Sequence, residues 1–190
     1  MFYGCSELSE INLDNFDTSK VEDMALMFSN CDLLTSLNLA KFNTKNVFDM
    51  YGMFQHCIHL KELDLTNFYT SEVTDMSHMF DDTINLKNIR INNNFNTKNV
   101  RDMSYMFNNA QNLEKIDLNY FDTSNVINME YMFNYCRKIK NFDFSKFSTK
   151  KVEKMNNMFY MCTSLEQLDI HYLMLVKLPI CHIHLEIYNP

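Results

Sequence analysis

The sequence predicts an α/β solenoid, with one short parallel strand and one short helix per turn of about 26 residues, and about seven turns. Two observations predict it. The pair Met-Phe begins at Met1, Met27, Met53, Met79, Met106, Met132 and Met158, at spacings of 26, 26, 26, 27, 26 and 26. Between the pairs, apolar residues fall into columns that repeat in every copy. Two columns hold 13 of the 16 Phe and two hold 13 of the 15 Met, which marks them as core. A fixed period of this length is the signature of a stacked architecture, because one unit cannot bury its own apolar face but a stack buries a continuous core.

Within one copy the period changes. Val21, Met24, Met27, Phe28 and Cys31 step by three and four, which predicts a short helix face. Ile11 and Leu13 alternate with polar Asn12, which predicts a half-buried strand. Thr18 stands where a hydroxyl could cap the following helix, and Thr44, Thr70, Thr97, Thr123 and Thr149 repeat it. Strands of successive turns would pair in parallel about 4.8 Å apart, so seven turns make a stack roughly 30 Å long. The chain has only two Gly and two Pro, so its turns must rely on Asn, Asp and Ser. The one 27-residue spacing is explained by an extra Asn around Asn92 to Asn94.

The polar strand column, Asn12, Asn38, Asp64, Arg90, Asp117, Asp143 and Asp169, is the candidate ligand-binding face and would lie on the concave side. Paired carboxylates can bind calcium or do acid–base work. Asp117, Asp143 and Asp169 line up by repetition, however, with no base, nucleophile or pocket-forming loop nearby in sequence. A second column, Asp23, Asp49, Asp75 and Asp102, lies in the predicted helix; stacked like charges there suggest a splayed, convex side.

The cysteine column, Cys5, Cys31, Cys57, Cys136 and Cys162, also holds Thr83 and Ala110, so the slot selects a small side chain. Reduced, structural thiols are expected, although adjacent turns lie within disulfide range. His56 and His59 flank Cys57, and Cys181, His182 and His184 offer three possible metal ligands. Solvated polar residues are the default for both groups, and no short paired Cys spacing of a zinc site occurs. The chain lacks phosphate-loop, dinucleotide, nucleophile-elbow and zinc-protease motifs. No cofactor and no catalytic residue is therefore expected. The net charge of −7 argues against a nucleic-acid partner. No window holds the ~20 apolar residues of a membrane span. The first residues, MFYGCSELSE, lack a signal-peptide pattern.

The unit M-F-x-x-C-x-x-L-x-x-L-x-L-x-x-F-x-T-x-x-V-x-x-M, with FDTSNV at Phe121 to Val126, resembles the BspA-type leucine-rich repeat family. It is also similar to the repeat domain known from mycoplasma lipoprotein-associated proteins. The resemblance covers residues 1 to about 170 in seven copies, the last truncated. It implies a right-handed leucine-rich-repeat coil and, since such proteins are often bacterial surface or secreted adhesion proteins, a non-enzymatic scaffold that binds another protein or a surface ligand. Alternatives are an intracellular scaffold, a remnant of a longer array, or an enzyme with a carboxylate cluster in a true pocket. The array opens at Met-Phe with no polar cap, which suggests a fragment. Residues 171–190 break the pattern and read as a C-terminal cap, with Leu173, Leu175 and Leu178 over the last turn, or as a non-repeat tail.

Overall fold

The computed structural model describes residues 1–169 and 171–173. Successive copies stack in parallel as a repeat solenoid. Two strands, β1 (Glu62–Asp64) and β2 (Asn88–Arg90), pair in parallel, with Leu63 opposite Ile89. A separate series of parallel bridges links Asp23, Asp49, Asp75, Asp102, Asn128 and Lys154, one residue from each of six consecutive copies.

The predicted helix is replaced. From Met24 to Leu34 the chain runs through consecutive β-turns, closed by Met27 N donating to Met24 O (3.2 Å), Ser29 N to Leu26 O (3.1 Å), Cys31 N to Phe28 O (3.2 Å) and Leu34 N to Cys31 O (3.2 Å). Each turn bond spans three residues, so the three-residue spacing of the apolar columns is a turn period that imitates a helix face. The intervening amides point along the stack. Met24 N, Leu26 N, Phe28 N and Asn30 N donate to Asp49 O, Tyr51 O, Met53 O and Gln55 O at 2.7–3.0 Å. Local and inter-turn bonds thus alternate residue by residue, and the backbone donors of the arc are satisfied without a helix.

This path requires a left-handed residue at the third position of two turns per copy. Leu26 and Asn30 fill it in one copy, and Tyr131 and Tyr135 in another, with φ between 56° and 59°. Asn tolerates that region, whereas Leu and Tyr occupy it at a cost. Gly52 takes the first of these positions in its copy at φ +53°, and a Cβ added there would lie 2.8 Å from Leu26 Cδ2.

The Thr column is not a set of helix caps. Thr18 Oγ1 accepts from Asn43 N (2.7 Å) and donates to Asn43 O (3.1 Å), which ties one copy to the next. Thr44, Thr70, Thr97, Thr123 and Thr149 each donate to a carbonyl 24 to 26 residues on. The hydroxyl therefore does the work of a backbone ladder inside a buried column.

The core is layered on the Met-Phe pairs. Phe2, Phe28, Phe54, Phe80, Phe107, Phe133 and Phe159 form one continuous ring stack, with centroids 5.3–6.1 Å apart and planes within 14° of parallel. Phe28, Phe54, Phe107 and Phe133 have no exposed surface. The extra Asn is absorbed just before Phe95, whose N–H still closes a turn on Asn92 O (2.9 Å) and whose ring still packs on Phe121.

The expectation that stacked carboxylates splay the second column apart is overturned. Asp23, Asp49, Asp75 and Asp102 are consecutive bridge partners. Each accepts the N–H two residues on, from Ala25, Tyr51, Ser77 and Ser104, at 2.7–2.8 Å, and these bonds offset the repulsion. Burial foremost pushes the Asp49 carboxyl up, the Tyr51 N–H opposes it, and the charges of Asp75 and Asp23 add to the rise.

Candidate binding face

All seven residues of the polar strand column, Asn12, Asn38, Asp64, Arg90, Asp117, Asp143 and Asp169, are exposed on one arc of the coil. The apolar residues between them turn inward: Leu13, Leu39, Leu65 and Leu118 are buried. The side chains of the column are not idle. Asn12, Asn38, Asp64, Asp117, Asp143 and Asp169 each accept the N–H two residues on, at 2.9–3.2 Å. They close the turn that leaves the strand, a task short polar side chains perform well. Arg90 breaks the pattern and pairs instead with Asp64 of the preceding copy. The Asp64 carboxyl is held below the usual range, first by the Thr66 hydroxyl and N–H and then by the Arg90 guanidinium. Asp143 is lowered likewise by the hydroxyl and N–H of Ser145.

Around the Asp64–Arg90 pair lies a groove of about 830 Å³. Its polar wall is made by Glu62, Asp64, Asn88, Arg90, Lys115, Asp117 and Asn119, and its apolar floor by Leu37, Leu63, Ile89 and Ile116. Leu37 and Ile116 are half-buried. The groove offers both charges and an apolar strip. Sequence reasoning placed Asp64, Arg90 and Asp117 on one face; the groove joining them comes from β1 and β2.

The described cysteines are free, and Cys31, Cys57 and Cys136 are buried. Four of the thiols point at a backbone carbonyl 29 residues earlier: Cys31 Sγ to Phe2 O, Cys57 to Phe28 O, Cys136 to Phe107 O and Cys162 to Phe133 O, at 3.1–3.2 Å. Burial pushes the Cys31 thiol up to about 11 and the Cys162 thiol up to about 12. A thiol held protonated is a poor nucleophile and a poor metal ligand. Thr83 fills the slot with a hydroxyl that donates to Phe80 O. His56 pairs with Asp82 at 3.4 Å, and His59 Nδ1 lies 2.8 Å from Asp32 O. No group of His, Cys, Asp and Glu among the described residues has a metal-holding arrangement. Cys181, His182 and His184 lie outside the described residues, as do Leu175 and Leu178 of the expected cap; Leu173 is buried and its carbonyl accepts from Thr149.

Sequence reasoning missed a polar chain on the opposite arc. Gln55 Nε2 and Asn108 Nδ2 both donate to the buried Asp81 carboxylate, at 3.1 and 2.7 Å, and Asn134 Nδ2 donates to Asn108 Oδ1 at 2.6 Å. His78 joins at 2.7 Å from Asp81, and its ring stacks on Tyr105, which stacks on Tyr131. The signal was present: the residue after the five inner Met-Phe pairs reads Ser29, Gln55, Asp81, Asn108 and Asn134, polar in a column next to the core, with Tyr3 and Tyr160 at its two ends.

No helix among the described residues is long and apolar enough to cross a membrane. No curated protein matches the chain. Among solved structures it is similar to a leucine-rich cell surface protein from Faecalibacterium prausnitzii, at 16% identity and a TM-score of 0.41, covering 88% of this chain and 34% of that one. It is also similar to a leucine-rich repeat protein from Eubacterium ventriosum, at 16% identity and a TM-score of 0.49, covering 84% of this chain and 46% of that one. The chain thus spans less than half the length of either. The model of a family described as mycoplasma protein of unknown function, DUF285, matches residues 1–93 and again 83–173. With residues 1–173 covered by that model, the chain belongs to the DUF285 family.

Proposed function

We propose that the chain is a non-enzymatic scaffold that binds another protein through the groove around Asp64, Arg90 and Asp117, and that it acts at the cell surface. The groove carries the reading: an apolar strip of Leu37, Ile89 and Ile116 between charged walls is the composition of a protein-binding patch, with an apolar centre and a polar rim. The column's carboxylates are tied to backbone N–H groups, which suits a rigid recognition surface better than proton transfer. The surface placement rests on the resemblance to surface-displayed repeat proteins.

The test is a photo-reactive residue at Asn88, inside the groove, against one at Asn46, which is exposed outside the groove and donates to Ser19 O. In intact cells of the source organism, a protein adduct that forms at Asn88 and is lost in Arg90→Glu supports the groove. Equal adducts at both positions remove it. Protease added to intact cells should cleave the chain without lysis; protection until lysis removes the surface placement and leaves an internal scaffold.

A further inference from the structure

Charge is distributed unevenly along the stack. Residues 1–136 carry nineteen acidic and nine basic side chains, a net of −10. Residues 137–154 reverse it: Arg137, Lys138, Lys140, Lys146, Lys150, Lys151 and Lys154 stand against Asp143 and Glu153, a net of +5. All seven basic residues are exposed. Only Lys140 of the seven forms an ion pair among the described residues, with Glu166. We propose that this belt binds a linear sulfated or carboxylated polysaccharide, at a site separate from the groove.

Geometry selects the polysaccharide. The belt runs over eighteen of the twenty-six residues of one turn, so it wraps most of the circumference. A flat anionic bilayer or a rigid duplex would meet only one side of it, whereas a flexible chain can follow it. Single-stranded nucleic acid would need aromatic faces on which bases stack. Phe142, Phe144 and Phe147 within the belt are buried, and the Tyr135 ring beside it lies under Arg137, whose guanidinium is 5.2 Å from the ring centre. At the start of the belt a pocket of about 280 Å³ is lined by Asn108, Asn109, Gln111, Asn134, Tyr135 and Arg137. Amides both donate and accept, which suits sugar hydroxyls. Asn134 is 8% exposed and its Oδ1 has no hydrogen-bond partner. The amide chain that runs Asp81, Asn108, Asn134 ends there, because the next copy places Tyr160 where an amide would continue it.

The test uses the full chain and a heparin oligosaccharide, titrated by calorimetry in about 0.1 M salt, where fields reach about 10 Å. Binding is expected, weakening steeply with added salt. Lys138→Glu, Lys146→Glu and Lys150→Glu together should weaken it about tenfold or more. The same charge change at Lys20, Lys61 and Lys87 should leave it within about twofold. If the reversal unfolds the chain, Gln at the three belt positions gives the same ranking with a smaller loss. Arg137→Ala should weaken binding while the unfolding temperature holds. Three results would overturn the proposal: no heparin binding, equal losses in the two triple variants, or binding to oligo-dT or phosphatidylserine vesicles as tight as to heparin.

Discussion

Two arcs of the same coil are built differently. On the Met-Phe arc, inter-turn backbone bonds repeat copy after copy, from Met24 N on Asp49 O to Met129 N on Lys154 O, and bridges join six copies. On the Leu-x-Leu arc, strand pairing among the described residues is confined to β1 with β2 and to one bridge, Asn141 with Gln167. The arc with continuous backbone pairing carries the deepest core, while the arc with sparse pairing carries the groove. A solenoid sums nearest-neighbour interfaces, so continuous pairing on one arc frees the other to vary its side chains. Arg90 takes the place of an Asp or Asn in its column, and its side chain pairs with Asp64 of the preceding copy where the others close a turn.

The largest effect should come from the ring stack. Phe107→Ala removes a ring packed between Phe80 and Phe133, and unfolding by denaturant should show a loss of about 3–5 kcal/mol. A loss below about 1 kcal/mol would place the stability elsewhere. Next is the backbone of the same arc. Gly52→Ala puts a Cβ on a left-handed residue and presses on Leu26, so a loss of about 1–2 kcal/mol is expected. No change would mean that the copy relaxes freely there, contrary to a closed ladder.

On the other arc the losses should be smaller and chemically selective. Asp117→Ala unties the N–H and side-chain amide of Asn119 and should cost about 0.5–1 kcal/mol, whereas Asp117→Asn, which keeps the acceptor, should cost less than half as much. Equal losses would show that charge rather than turn closure matters at that column. An innocuous Asp117→Ala would make the carboxylate free for a ligand.

The repeat, the apolar columns and the exposure of the polar strand column were legible in the sequence, because side-chain burial follows the 26-residue period directly. The helix was not. Val21, Met24, Met27 and Phe28 satisfy a helical pattern, but their three-residue steps fit serial β-turns equally well, and the choice is decided by inter-turn bonds that no single copy contains. Left-handed Leu26, Tyr105 and Met161 carry no local signal for that conformation, since their types disfavour it. Thr18 was misplaced for the same reason: its hydroxyl serves Asn43, one copy away. The groove was illegible as a volume because it depends on how β1, β2 and the Ile116 segment are spaced, while its charged residues were visible as a column.

The smallest effect is the most diagnostic of the Met-Phe arc. Asp49 is flanked by Asp23 and Asp75 in the bridge series, and burial and both charges raise its carboxyl. An acid raised by folding weakens the fold above its folded value, and the penalty lifts as pH falls through that value. Asp64 and Asp122 are lowered, so their contribution is present above the unfolded value and is lost as pH falls through the folded one. Asp49→Asn keeps an acceptor for the Tyr51 N–H and removes the charge, as Asn128 does in the same column. Near neutral pH it should stabilise by about 0.5 kcal/mol, the size of a like-charge cross-strand pair. The gain should shrink as the pH is lowered into the range where Asp49 itself protonates, while both proteins lose stability together through Asp64 and Asp122. Thermal unfolding of the two proteins across acid pH measures both slopes. A gain that persists unchanged at low pH would mean that the substitution acts by packing, and that the acidic column carries no electrostatic load.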